Sequence, residues 1–237
     1  MAVYAMSDLH IALDNPEKTM EVFGLGWKDY MTRIKEECQI VGPDDIFLMP
    51  GDLSWITYLE KSEKDFKFIN DLPGKKLIVR GNHDYWWGTA KKMQEQMASM
   101  GYDTITVLRN NAYVCDEAVI SGTRSWKRIE DDDVTAEDVK IHNREIERIK
   151  LCLKAIEEAD PEHKKPHIFM LHFPPLSKTG GSTDVSELIE GSNLVDICLY
   201  GHLHGRAHSQ IFEGDRSGVK YFCVAADYRK YRPFRVL

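Results

Sequence analysis

The sequence has no apolar run approaching the ~20 residues that a membrane-spanning helix requires. Nothing in it reads as a signal peptide either, because Met1–Met6 already reads as a strand running into a polar motif. A soluble, cytoplasmic protein is therefore expected. Cysteine is scarce and unpaired: Cys38, Cys115, Cys152, Cys198 and Cys223 fall at no regular spacing. That excludes a disulfide framework or a zinc ribbon and suits a reducing compartment. Excess positive charge is also missing. A formal net charge of −7 speaks against nonspecific nucleic-acid binding, which depends on a basic footprint. Glycine and proline stand at ordinary levels (16 and 9 in 237 residues) and 43% of the chain is hydrophobic. Collagen-like, low-complexity and disordered classes are thereby excluded, and a substantial core is available.

What is present is an alternation of short apolar runs with amphipathic stretches, the mark of an α/β class. Strands are expected near Val3–Met6, Ile46–Met49, Lys76–Val79, Thr104–Leu108, Tyr113–Ser121, Ile168–Leu171, Ile197–Tyr200, Ala207–Phe212 and Lys220–Ala225. Hairpin-like spacing around Tyr113–Ser121 and Ala207–Ala225 predicts mixed rather than purely parallel pairing. Helices are expected over Lys28–Val41, Ile56–Asn70, Trp87–Met100 and Ala136–Ala159, the last opened by a capping pair, Thr135 with Asp138. One domain spanning 1–237 is expected, with residues 126–165 reading as a charged helical insertion or cap. That stretch holds an acidic run, Glu130–Asp133, and a long helix with a narrow stripe (Val139, His142, Ile146, Ile149, Leu153, Ile156). Such a stripe either packs on its own domain or forms a seam between subunits.

The polar residues gather where the apolar runs end. Val3–Met6 leads to Asp8-Leu9-His10, Ile46–Met49 to Gly51-Asp52, and Leu77–Val79 through Arg80 to Gly81-Asn82-His83-Asp84. Ile168–Leu171 leads to His172, and Ile197–Tyr200 to Gly201-His202-Leu203-His204. Ligands of α/β sheets bind beyond the carboxyl ends of strands, so these five loops should converge on one site. Their donors are carboxylates, imidazoles and one carboxamide, without cysteine. That mixture suits two adjacent divalent ions such as Mn, Fe or Zn with positions open to water and substrate. Asp52 fits the bridging carboxylate.

The ordered set DLH, GD, GNHD, H and GHLH across residues 8 to 204 resembles the calcineurin-like metallophosphoesterase superfamily. The resemblance implies a four-layer αββα sandwich, two mixed β-sheets flanked by helices, with a dinuclear metal site at the strand ends. It implies one divalent metal ion on Asp8, His10, Asp52 and His204, and a second on Asp52, Asn82, His172 and His202. It further implies a hydroxide between the ions as nucleophile and His83 as proton donor to the leaving oxygen. Asp84 then either orients that imidazole or serves only a turn or cap. Protein Ser/Thr phosphatases of the superfamily carry an arginine shortly after GD. Here Gly51-Asp52-Leu53-Ser54-Trp55 lacks it, so a small-molecule or nucleotide phosphoester is the expected partner. The alternatives are a nuclease of the same superfamily, or a metal-binding scaffold without catalysis.

Other side chains carry two readings each. Trp55, Trp86 and Trp87 either wall a substrate pocket or pack helix starts. Arg124, Trp126 and Arg206, with Lys127 and Arg128, are candidate substrate contacts or solvated surface. Arg80 reads rather as the partner of acidic neighbours, and Lys178 sits in a loop that could close over the site.

Overall fold

A computed structural model of the chain describes residues 1–131 and 133–237; Asp132, inside the acidic run, lies outside the described residues. The elements alternate as β1 (Val3–Ala5), α1 (Tyr30–Glu37), β2 (Ile46–Pro50), α2 (Glu63–Asp71), β3 (Lys75–Val79), α3 (Ala90–Ser99), β4 (Ile105–Val107), β5 (Tyr113–Val114), β6 (Val119–Thr123), α4 (Ala136–Ala159), β7 (His167–Leu171), α5 (Asp184–Ser192), β8 (Ile197–Tyr200), β9 (Gly214–Arg216), β10 (Val219–Cys223) and β11 (Phe234–Arg235). They form two sheets, ordered β11-β1-β2-β3-β4 and β5-β6-β7-β8-β10-β9. β11, β5 and β9 pair antiparallel at edges and the inner strands run parallel, so both sheets are mixed.

The two-residue period of a strand sorts the apolar side chains into layers. Ile46 and Leu48 of β2 face the core between the sheets, together with Ile168 and Met170 of β7 and Ile197 and Leu199 of β8. Phe47 and Met49 turn to the other face, against α1 (Tyr30, Ile34), α2 (Phe66, Ile69) and α3 (Met93, Met97). Phe169, Leu171, Cys198 and Tyr200 turn outward against Ile149, Leu153 and Ile156 of α4 and Val185 and Ile189 of α5. Strands buried on both faces need continuous apolar runs, which is why the inner strands read so plainly. The result is the four-layer αββα sandwich.

The structure refines the sequence reading at several elements. α4 joins the neighbouring parallel strands β6 and β7, with its apolar stripe packed on the sheet. Its start is the expected capping box: Thr135 accepts from the Asp138 amide at 3.1 Å while Asp138 accepts from Thr135 N at 3.0 Å. α3 begins at Ala90, because Asp84–Trp87 is drawn into a turn and Thr89 caps the Lys92 amide. Ala207–Phe212, expected as a strand, falls mostly in a 3-10 turn over Gly205–Gln210, and α5 was not foreseen.

One buried cation welds α2 to β3. Lys76 is fully buried and its Nζ donates to the carbonyls of Asn70 (2.8 Å), Gly74 (3.0 Å) and Leu72 at the α2 C-terminus. A cation there satisfies carbonyls that the helix leaves unpaired. Lys76→Met should therefore lower unfolding free energy by about 3 kcal/mol, since buried acceptors lose their donor; urea denaturation with unchanged m-value reads this directly. The cysteines give a second check. Burial pushes the Cys38 and Cys223 thiols up to about 12 and raises Cys152 and Cys198. Only Cys115 is partly exposed. Brief alkylation of native protein at mildly alkaline pH should give one adduct, at Cys115, by peptide mass mapping. No helix among the described residues is long and apolar enough to cross a membrane.

Candidate active site

Six strand ends deliver the site. The chain leaving β1 crosses to the second sheet: Ser7 N donates to Val224 O at 2.8 Å and Ala226 N to Ser7 O at 3.0 Å. That brings Asp8 and His10 against the loops of β2, β3, β7, β8 and β10. The ligand atoms fall into two groups, Asp8–His10–His204 and Asp52–His172–His202, each within 4.8 Å of one another. Asp52 links them, its Oδ2 lying 3.8 Å from His10 Nε2 and 3.3 Å from His172 Nε2. Asn82 Oδ1 sits 2.7 Å from His172 Nε2. The seven expected ligand residues thus come together in one place.

Their backbone is unusual. Asp8 (φ 60°), His10 (47°), Asp52 (54°) and His202 (70°) all sit in the left-handed region, at about 1–2 kcal/mol each for a residue with a Cβ. Strain of this kind persists only where surrounding structure holds it. Close packing does so here. A Cβ on Gly81 would lie 2.1 Å from Asp52 Oδ1, and one on Gly201 would lie 2.2 Å from Asp8 Oδ2. The glycines of GNHD and GHLH are thus the places where loops close onto the two carboxylates.

Asp84 sits as its turn or cap reading expects. Its buried carboxylate makes no hydrogen bond to the His83 ring. It accepts from the amides of Asp52 (2.9 Å), Leu53 (2.9 Å) and Gly81 (2.7 Å) and from Trp86 Nε1 (3.1 Å). It therefore ties the GD loop to the GNHD loop. Burial first, and the Asp52 charge second, push Asp84 up to about 6.

The remaining electrostatics favour a cation. Burial opposes ionisation of both linking carboxylates, yet His204 holds Asp8 down at about 2 and His172 holds Asp52 lower still. His172 Nδ1 lies 3.0 Å from Pro50 O and His204 Nδ1 lies 2.8 Å from Asp227 Oδ1. Both partners only accept, so each Nδ1 carries the hydrogen and each Nε2 is turned to the cluster. Burial works against charging these two rings, but Asp52 lifts His172 to about 9 and Asp8 lifts His204 to about 10. His10 and His202 are pushed by burial down to about 4 and about 3, which keeps them neutral. His10 Nε2 and His204 Nε2 stand 3.4 Å apart beside a carboxylate. Imidazole nitrogens converging on ionised carboxylates, with no sulfur, fit divalent first-row ions.

The family profile described as calcineurin-like phosphoesterase matches residues 1–206. The chain belongs to that family. No curated protein matches it significantly. Among solved structures, phosphopantetheinyl hydrolase (PptH) from Mycobacterium tuberculosis superposes with a TM-score of 0.59 at 16% identity, covering 100% of this chain and 95% of that one. The protein TT1561 of Thermus thermophilus gives 0.50 at 13% identity, covering 85% and 81%. At these identities the likeness speaks for the fold.

Around the candidate ligands, His83 is half-buried; its amide donates to Asp52 Oδ1 at 2.8 Å and its ring lies 4.4 Å from that of Trp55. Trp55 also stacks on His10 at 4.8 Å, so it walls the site, whereas Trp86 is core against Phe66. Trp126 and Phe173 (5.1 Å apart) line a pocket of about 210 Å³ that reaches His202 and also meets Lys127, Arg128 and Lys178. Arg124 is not in it: its guanidinium pairs with Glu145 at 3.2 Å and lines a separate cavity. Arg206 is exposed on the 3-10 turn after His204. Asp227 went unnoticed in the sequence. It follows β10 as the ligand candidates follow their strands.

Proposed function

We propose that this phosphoesterase hydrolyses a phosphomonoester or small phosphodiester of a small molecule or nucleotide. The observation that carries this reading is the shared carboxylate: Asp52 joins two ligand groups, and the His83 amide is bonded to it. Asp8, His10, Asp52 and His204 would hold one divalent ion, and Asp52, Asn82, His172 and His202 the other. Ions bound there acidify water and neutralise charge developing on the phosphoryl oxygens. Asp227 and the Pro50 carbonyl fix the rings of His204 and His172 with Nε2 inward. His83, its Nδ1 free of any partner in the structure, stands beside the cluster as donor of a proton to the leaving oxygen. Trp126 and Phe173 offer an aromatic wall for the organic part of the ester.

The cations of that pocket are already matched. Lys127 lies 2.8 Å from Asp133, while Arg128 (3.1 Å) and Lys178 (3.0 Å) both reach Asp131. The acidic run thereby neutralises a patch that would otherwise draw polyanions, which favours a small ester over a polynucleotide. With Mn, Fe or Zn added in turn, para-nitrophenyl phosphate, its bis-ester and a phosphopantetheinyl ester form the panel, the last because the PptH neighbour is named for that group. Turnover abolished by chelator supports the reading. Absence of turnover with every metal and ester would sink it.

A further inference from the structure

Apart from the Trp126–Phe173 pocket, Arg80, Arg109, Arg124 and Arg148 line a second cavity of about 80 Å³ together with Gly122 and Trp87, and the Arg124 guanidinium also lies 4.2 Å over the Trp126 ring. None of the metal-ligand candidates lines it. The arginines come from four different elements: the ends of β3, β4 and β6, and the middle of α4. Their compensation is poor. Glu145 alone pairs with Arg124 (3.2 Å) and Arg148 (2.5 Å), and Thr123 takes its other oxygen at 2.8 Å. Among the described residues neither Arg80 nor Arg109 has a carboxylate within salt-bridge distance. Asp84, the other acid acting on Arg80, is already occupied by backbone amides and Trp86. Four arginines against Glu145 and Asp84 leave two positive charges in a chain whose net charge is −7.

Buried donors are orphaned as well. The Nε atoms of Arg80 and Arg124 are buried without an acceptor, and Arg124 is only 9% exposed. Orphan guanidinium donors at a confined cavity lack what such groups take best, a tetrahedral oxyanion bound by several forks at once. A pure packing role would not gather four like charges at one void, since like charges repel most strongly where water is excluded.

We propose that this cavity is an anion site for a phosphate-class dianion, separate from the metal ligands. The dianion has two sources, free orthophosphate or a second phosphoryl group carried by the substrate. Either would sit against the backbone of catalytic loops: Arg80 precedes Gly81-Asn82, and the Arg124 carbonyl accepts from the amides of His172 (3.1 Å) and Phe173 (3.0 Å).

Calorimetric titration of inorganic phosphate, then sulfate, into the full Mn-loaded chain tests the site without relying on hydrolysis. Wild type should show two binding events, and Arg109→Met and Arg80→Met should each weaken one of them by about tenfold, the loss of one charge-assisted contact. Arg109 is exposed, so its variant carries the test if Arg80→Met fails to fold. A single event in wild type, or two unchanged events in both variants, overturns the site. The source is separated by kinetics, the one arm that rests on the hydrolytic reading. If free phosphate is the occupant, phosphate inhibition of wild type has a noncompetitive component that Arg109→Met loses. If the substrate supplies it, Arg109→Met raises KM about tenfold for a bisphosphorylated ester and leaves KM for phenyl phosphate unchanged.

Discussion

Asp52→Asn should lower kcat/KM by about 10³-fold or more, equivalent to about 4 kcal/mol of transition-state stabilisation. Asn keeps the shape of the side chain and tolerates the left-handed backbone at φ 54°, so the fold should survive. What changes is charge. Oδ2 lies between His10 Nε2 and His172 Nε2 and Oδ1 accepts the His83 amide, so one ionised group serves both candidate ligand clusters and the loop that carries His83. A neutral amide cannot offset two divalent ions brought together, and at least one should be lost on gel filtration. Elemental analysis together with the thermal midpoint reads both consequences. Retention of two ions with activity within tenfold of wild type would remove Asp52 from the shared position.

The second large effect depends on the substrate. His83→Ala should slow hydrolysis of an alkyl phosphate by about 10²–10³-fold while leaving para-nitrophenyl phosphate nearly untouched, because a good leaving group departs without a proton. Metal content should stay at the wild-type level, since the ring lies beside the ligands and its Nδ1 has no partner. His83→Gln, which better fills the space against Trp55, separates lost acid catalysis from lost packing. Equal losses on both esters, or loss of an ion, would make His83 a structural or ligating residue instead of the acid.

These effects sit on residues that the sequence exposes unevenly. The candidate ligands were legible because each follows a continuous apolar run, and runs buried on both faces are hard to mistake. Asp227 obeys the same rule after Val219–Cys223, but a lone aspartate with no histidine beside it carries little signal on its own. Its importance comes from a 2.8 Å approach to His204, 23 positions away. Asp84 kept two readings for a related reason. Adjacency to His83 suggested a side-chain partner, whereas the turn directs the carboxylate onto amides of another loop 31 and 32 residues distant. Arg124 follows a strand as a phosphate contact would, yet Glu145 on α4 pairs with it.

The sequence by itself determined the α/β class, the inner strands, the capped helix at Ala136–Ala159 and the identity of the metal-ligand candidates. All of these rest on local periodicity, local capping, or side-chain chemistry placed just after an apolar run. The family resemblance already implied two ligand groups sharing Asp52; tertiary structure alone decided which residues take left-handed backbone, that Asp84 and Asp227 are the supports, and that four arginines meet in one cavity. Those features arise where loops from different strands pack together. The energies involved, close contact between loops and Coulomb interaction in a site shielded from water, depend on distances through space that no spacing along the chain encodes.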